Sequence, residues 1–119
     1  MEKQNSLSKN RNICELLAPA GSKEAFIAAV ESGADAVYAG GNLFNARINA
    51  HNFELVEIEE AVRFAHKRNV KVYITINVLI KDEELLEALE YAKNLYVIGV
   101  DAIIVQDIGF ANLVRKHLP

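Results

Sequence analysis

The chain reads as short apolar runs separated by longer segments in which apolar residues recur at helical spacing. The first run, Ile13-Cys14-Glu15-Leu16-Leu17-Ala18, predicts a strand that Pro19-Ala20-Gly21 stops. Ser22 stands at a helix cap position, and Glu24 in the first turn faces the positive end of the helix dipole. That helix runs from Lys23 to about Ser32 and stops at Gly33, the residue that best tolerates a left-handed conformation. Ala36 to Ala39 predicts a second strand ending at Gly40-Gly41, followed by a polar loop from Asn42 to about Phe53. Leu55, Ile58, Ala61, Val62 and Ala65 mark a second helix through Arg68. Val70 to Ile76 is β-branched and nearly continuous, the pattern of a strand buried on both faces. Asp82 is the predicted cap of a third helix carrying Leu85, Leu89, Ala92 and Leu95 and closed by Gly99. Ala102 to Val105 is a fourth strand, and Gly109 to His117 starts a fourth helix.

Strand and helix therefore alternate four times, which predicts right-handed βαβ units: an α/β fold with a parallel sheet. Gly33-Ala34-Asp35-Ala36-Val37 and Gly99-Val100-Asp101-Ala102-Ile103 echo one another as helix stop, short polar turn and strand. Asn69-Val70-Lys71-Val72 fills the equivalent joint, with Asn at the position that favours a left-handed backbone. Two closures fit four βα units. One is an open doubly wound sheet; the other is half of a (β/α)8 barrel, which typically needs about 250 residues. Periodicity leaves both open. The sequence has neither the G-x-G-x-x-G spacing of a dinucleotide site nor a P-loop, which lowers the nucleotide-binding readings.

Composition narrows the class further. With 119 residues, 51% hydrophobic, the chain supports one core, read here as a domain over residues 14–119, and excludes a disordered protein. Residues 1–13 are polar, without hydrophobic period, and are expected to form a flexible tail carrying Lys3, Lys9 and Arg11 against Glu2. The net charge of −3 is thus more negative on the body, which disfavours a strongly basic nucleic-acid-binding domain. No run approaches the roughly 18 apolar residues of a membrane helix, and the N-terminus lacks the apolar stretch of a signal peptide, so the expected location is the cytoplasm. A single cysteine excludes an internal disulfide or an all-cysteine cluster within one chain; Cys14 itself is expected to be buried.

Several stretches then carry a resemblance. Glu15-Leu-Leu-Ala-Pro-Ala-Gly-Ser22, Gly33-Ala-Asp-Ala-Val-Tyr-Ala-Gly-Gly41, Phe44-Asn-Ala-Arg47 and Asn52-Phe53 resemble the start of peptidase family U32, the collagenase-like proteases. The likeness continues through Lys71-Val-Tyr-Ile-Thr-Ile-Asn77 and Asp101-Ala-Ile-Ile-Val-Gln-Asp-Ile-Gly109. It implies four consecutive βα units with parallel strands, forming the N-terminal half of a TIM-like (β/α)8 barrel. It also implies putting proteolysis first among the activities, the chain being the N-terminal part of a peptidase. Several members instead support hydroxylation of transfer RNA, ribosomal RNA or a quinone precursor, some through an iron–sulfur cluster. The family's cysteine-bearing signature lies downstream of the residues present here, so any cluster belongs to that part and no cofactor is expected within this chain.

In such a barrel the site forms at the C-terminal ends of the strands. Arg47 is the leading substrate-binding candidate, because a guanidinium clamps a carboxylate or phosphate bidentately. Asn52 shares its loop. Asn77 and Gln106 follow strands and could orient substrate amides or hydroxyls, or cap loop backbone. Asp107 is read either as a general base or as a helix cap, and Tyr38 either as lining the barrel mouth or as a core tyrosine. His51, His66 and His117 lack metal-ligand spacing, and no metal site is expected. No catalytic residue is assigned.

A half-barrel exposes two parallel edges, which predicts a homodimer or a partner that supplies the second half. Three functional readings stand: part of a peptidase acting on a peptide or small molecule, a component of an RNA- or quinone-precursor-hydroxylating protein, and a non-catalytic half-barrel that dimerises.

Overall fold

The computed structural model describes residues 14–41 and 53–119. They form four βα units: β1 (Leu17–Pro19), α1 (Lys23–Glu31), β2 (Ala36–Gly40), α2 (Leu55–His66), β3 (Lys71–Ile76), α3 (Leu85–Ile98), β4 (Ala102–Val105) and α4 (Ile108–His117). All strand pairs are parallel and the sheet order is β1-β2-β3-β4. The order never reverses, so among the described residues there is no switch point of the kind a doubly wound sheet has.

The register sorts the strand residues onto two faces. Ala18, Val37, Ala39, Val72, Ile74, Ile76, Ile103 and Val105 fall on one face, and all of them belong to or pack against the hydrophobic core. The same core contains Phe26 and Val30 of α1, Ile58, Val62 and Ala65 of α2, Ala88, Tyr91, Ala92 and Leu95 of α3, and Phe110 of α4. The helices therefore cover one face of the sheet. The opposite face carries Leu17, Pro19, Ala36, Tyr38, Lys71, Tyr73, Thr75, Ala102 and Ile104. This corrects the expectation that β3 is buried on both faces: Lys71 is exposed and Tyr73 half-buried, because alternation places them away from the helices.

Element boundaries shift where local signals and pairing compete. The apolar run from Ile13 was expected to be strand from its start, but β1 pairs only at Leu17, Ala18 and Pro19, opposite Ala36, Val37 and Tyr38. As an edge strand it tolerates Pro19, whose missing N–H faces no partner. Cys14 precedes the paired stretch and is exposed, not buried as expected. Asp82 does not cap α3. A 3₁₀ turn over Asp82–Glu84 leads into that helix, and Glu84 Oε1 accepts the Lys81 N–H at 3.1 Å. Glu57 does the same for Glu54 at 2.9 Å ahead of α2, in place of a Ser or Thr cap. Ser22 caps α1 as its sequence position predicts, its Oγ accepting the Ala25 N–H at 3.0 Å.

The three helix-to-strand joints share one backbone device. Gly33, Asn69 and Gly99 have φ of +100°, +60° and +105°, the left-handed turn that redirects the chain into the next strand. Two of the joints then use an aspartate. Asp35 N–H donates to Leu16 O at 2.9 Å while its Oδ2 accepts the Leu16 N–H at 2.7 Å. Asp101 repeats this on Val72, with 2.9 and 2.8 Å. The echoed sequences thus make a two-bond lock between neighbouring strand starts. At the third joint the matching position is Lys71, whose Nζ instead lies 3.9 Å from Glu15 Oε2.

Candidate functional site

In a parallel βα sheet the loops that leave the C-terminal strand ends converge on one rim, and that is where such folds build sites. Here the rim comprises the turn from Ala20 to Ser22, Gly40-Gly41, Asn77 to Lys81, and Gln106-Asp107. Each is held by identifiable bonds. Ala20 N–H donates to Tyr38 O at 2.9 Å, extending β1 by one residue toward α1. Phe53 N–H donates to Gly40 O at 2.9 Å, and Gly41 forms a parallel bridge with Phe53. The chain thus returns to the end of β2 before entering α2.

Gly41 owes its identity to α3. A Cβ built on it would overlap the Tyr91 hydroxyl and lie 2.9 Å from Tyr91 Cζ. Tyr91 is buried, and that burial pushes its phenol up to about 12. The close approach locks the third helix beneath the end of the second strand.

Between β3 and β4 the rim is tied by one carboxylate. Asp107 Oδ2 accepts the Ile80 N–H and Oδ1 accepts the Phe110 N–H, both at 2.9 Å. These bonds, that to Ile80 foremost, hold its carboxyl below the usual carboxylate range. Ile80 is buried and Phe110 fully so, which anchors both tied segments to the core. Asn77 and Gln106 follow Ile76 and Val105, the last paired residues of the adjacent strands, so the register sets them side by side on the open-face parity. Asn77 is half-buried and Gln106 exposed. Thr75, one rung below Asn77, is buried and donates to Ala39 O at 3.4 Å.

Of the sequence candidates, the structure brings Asn77, Gln106 and Asp107 together at this rim. Tyr38 lies farther down the open face, half-buried and in register with Pro19 and Tyr73. Arg47 and Asn52, like His51, lie outside the described residues. Sequence reasoning missed Tyr73, whose hydroxyl donates to Glu15 Oε1 at 2.9 Å across the intervening β2. Burial first, and then the Glu15 bond, raise its pKa. It missed too the pairing of His66 Nε2 with Asp101 Oδ2 at 2.7 Å, at the opposite end of the sheet from the rim.

These residues do not fit an iron–sulfur cluster. Cys14 is the single cysteine of the chain and lies before β1, at the end of the sheet away from the rim. Among the described residues no three His, Cys, Asp or Glu side chains gather in a metal-binding group. Nor is any described helix long and apolar enough to cross a membrane.

Comparison with known proteins places this architecture. Residues 21–119 match the model of peptidase family U32. The chain is similar to the 23S rRNA 5-hydroxycytidine C2501 synthase of Escherichia coli (strain K12), at 48% identity over 101 residues, covering 83% of this chain and 15% of that protein. It is similar to the tRNA hydroxylation protein P1 of Bacillus subtilis (strain 168), at 45% identity over 105 residues, covering 88% of this chain and 25% of that protein. It also resembles a collagenase of Porphyromonas gingivalis (strain ATCC BAA-308 / W83), at 33% identity over 101 residues, covering 84% of this chain and 24% of that protein. The chain thus spans a quarter or less of the length of these relatives. No solved structure gives a significant match. The matched span takes in the rim from Gly21 onward and all but the first strand, and on it the chain belongs to peptidase family U32.

Proposed function

We propose that this chain contributes to hydroxylation of a nucleobase in ribosomal or transfer RNA, with its rim binding the RNA. The carrying observation is the order of identities: 48% and 45% to two RNA-hydroxylation proteins, against 33% to a collagenase. That order favours the hydroxylation reading over proteolysis. Cytoplasmic action follows from a ribosomal or transfer RNA substrate.

We assign the binding half of such a role to the rim. Asn77 and Gln106 each carry an amide, a group with two N–H donors and a carbonyl acceptor of the kind that reads a base edge splayed out of a single strand. Arg47 and Asn52, which lie in sequence between Gly41 and Phe53, are assigned to the phosphate and sugar of the same strand. Tyr38 is assigned to the wall of the open face below them. The redox chemistry of a hydroxylation is assigned to none of these residues. If an iron–sulfur cluster supplies it, its cysteines come from elsewhere in the protein.

We take the four units as half of a (β/α)8 barrel, because the strands run in sequence order with helices on one face. The edges of β1 and β4, each with one partner strand, are where such a barrel would continue.

The test is nucleoside mass spectrometry of ribosomal and transfer RNA from cells with the gene deleted and then restored. Loss and return of a nucleoside heavier by one oxygen atom supports the reading. An unchanged nucleoside profile, with gelatin cleaved by the purified intact protein, overturns it in favour of proteolysis.

A further inference from the structure

The geometry points to Asp107 as a positioning residue: its carboxylate ties the loop after β3 to the start of α4 and so sets the spacing of the Asn77 and Gln106 side chains that meet the RNA. The assignment of RNA to that pair rests on the functional reading above.

Three observations carry it. First, the two carboxylate oxygens serve two different rim segments, Oδ2 on Ile80 and Oδ1 on Phe110, each at 2.9 Å. A helix cap alone would need only the Phe110 bond. The Ile80 bond reaches 27 residues back along the chain, into the loop that Asn77 begins. Second, each tied segment has a buried anchor, Ile80 and Phe110, so the two carboxylate bonds run to points held against the core. Third, Asn77 and Gln106 sit one residue past the paired Ile76 and Val105, where the sheet ladder ends. Past that point the Asp107 carboxylate bonds to the Ile80 and Phe110 amides on the two segments. A carboxylate so occupied, and held in its ionised form, is poorly placed to take a proton from substrate. This separates positioning from the general-base role that its sequence position also allowed.

The experiment uses the intact protein carrying Asp107→Ala, Asp107→Asn or Gln106→Ala, and has two readouts. One is amide hydrogen exchange at Ile80 and Phe110. The other is titration of a fluorescein-labelled single-stranded RNA, which yields both Kd and the binding-competent fraction. Asp107→Ala is expected to speed exchange at both amides and to raise Kd about tenfold, with the competent fraction unchanged. Asp107→Asn keeps one acceptor oxygen; it should protect one of the two amides and recover part of the affinity. Gln106→Ala should raise Kd with exchange unaltered.

Unchanged Ile80 exchange in Asp107→Ala overturns the proposal. So does faster exchange with an unchanged Kd, or a lower competent fraction at constant Kd, which is the mark of a merely structural role. Wild-type protein that binds no RNA overturns the RNA reading instead. The exchange arm needs no RNA and then decides by itself whether the carboxylate joins the two segments.

Discussion

Gly41 and Tyr91 compete for one space: the phenol oxygen of Tyr91 occupies the position a Cβ on Gly41 would take. Gly41→Ala therefore has to displace a side chain that is 2% exposed, at a cost of about 2–3 kcal/mol. Tyr91→Phe in the same protein removes the overlapping oxygen but leaves Cζ 2.9 Å from the new methyl, so it should restore part of the loss and not all of it. Urea denaturation of the two single variants and the double variant measures the coupling. Simple additivity would show that the overlap is relieved in another way.

Tyr91 also predicts an alkaline limit. Its phenol titrates at about 12 in the folded protein against an ordinary 10.0, so folding favours the protonated form. The stability it contributes is fully present below pH 10.0 and is lost as pH rises toward about 12. The two-unit gap corresponds to roughly 2–3 kcal/mol. Thermal melts between pH 9 and 12 should show a steeper decline in wild type than in Tyr91→Phe. Parallel curves would assign the decline to other groups.

The aspartate locks at the strand starts are expected to matter where the lysine joint does not. Asp35→Ala and Asp101→Ala each strip a backbone N–H of its charged acceptor, at Leu16 and Val72, and should cost about 1–2 kcal/mol. Lys71→Ala removes only a half-exposed pair at 3.9 Å and should stay within about 0.5 kcal/mol. Chemical denaturation of the three variants decides. Equal effects would mean that the two-bond geometry contributes nothing particular.

Asp107 predicts the opposite pH limb. Its carboxyl is held below the ordinary 3.8, so its contribution is present above that value and fades as pH falls through the lower, folded-state value. The melting temperatures of wild type and Asp107→Ala should differ at neutral pH and converge in acid. A constant difference would mean that ionisation of Asp107 does not strengthen its two bonds.

Gln106 offers a cleaner functional test, since it is exposed and lies beyond the strand ladder. If the proposed RNA hydroxylation holds, Gln106→Ala should leave stability within about 0.5 kcal/mol while lowering the hydroxylated nucleoside about tenfold, as loss of one substrate hydrogen bond would. An unchanged nucleoside level would remove Gln106 from the site.

Much of this was legible in the sequence because it depends on neighbours along the chain. Alternating periods predicted four strand–helix units. Ser22 and Asp107 stood where caps stand, and the residues at the three joints predicted left-handed turns that Gly33, Asn69 and Gly99 adopt. The motifs from Glu15 to Gly109 pointed to the family. Local signals were weaker at the ends of elements. Strand β1 begins only where β2 offers partners, and a 3₁₀ turn over Asp82–Glu84 leads into α3 in place of an Asp82 cap.

Tertiary structure alone decided the rest, because those features join residues far apart in sequence. No local pattern tells that the helices cover one face of a sheet in unbroken order β1-β2-β3-β4, since either closure uses the same periods. Glycine at 41 is explained only by a tyrosine on α3, and the second oxygen of Asp107 only by an amide at Ile80. Local propensity and patterning specified the units. Packing and long-range hydrogen bonds, which depend on register between units, specified the rim.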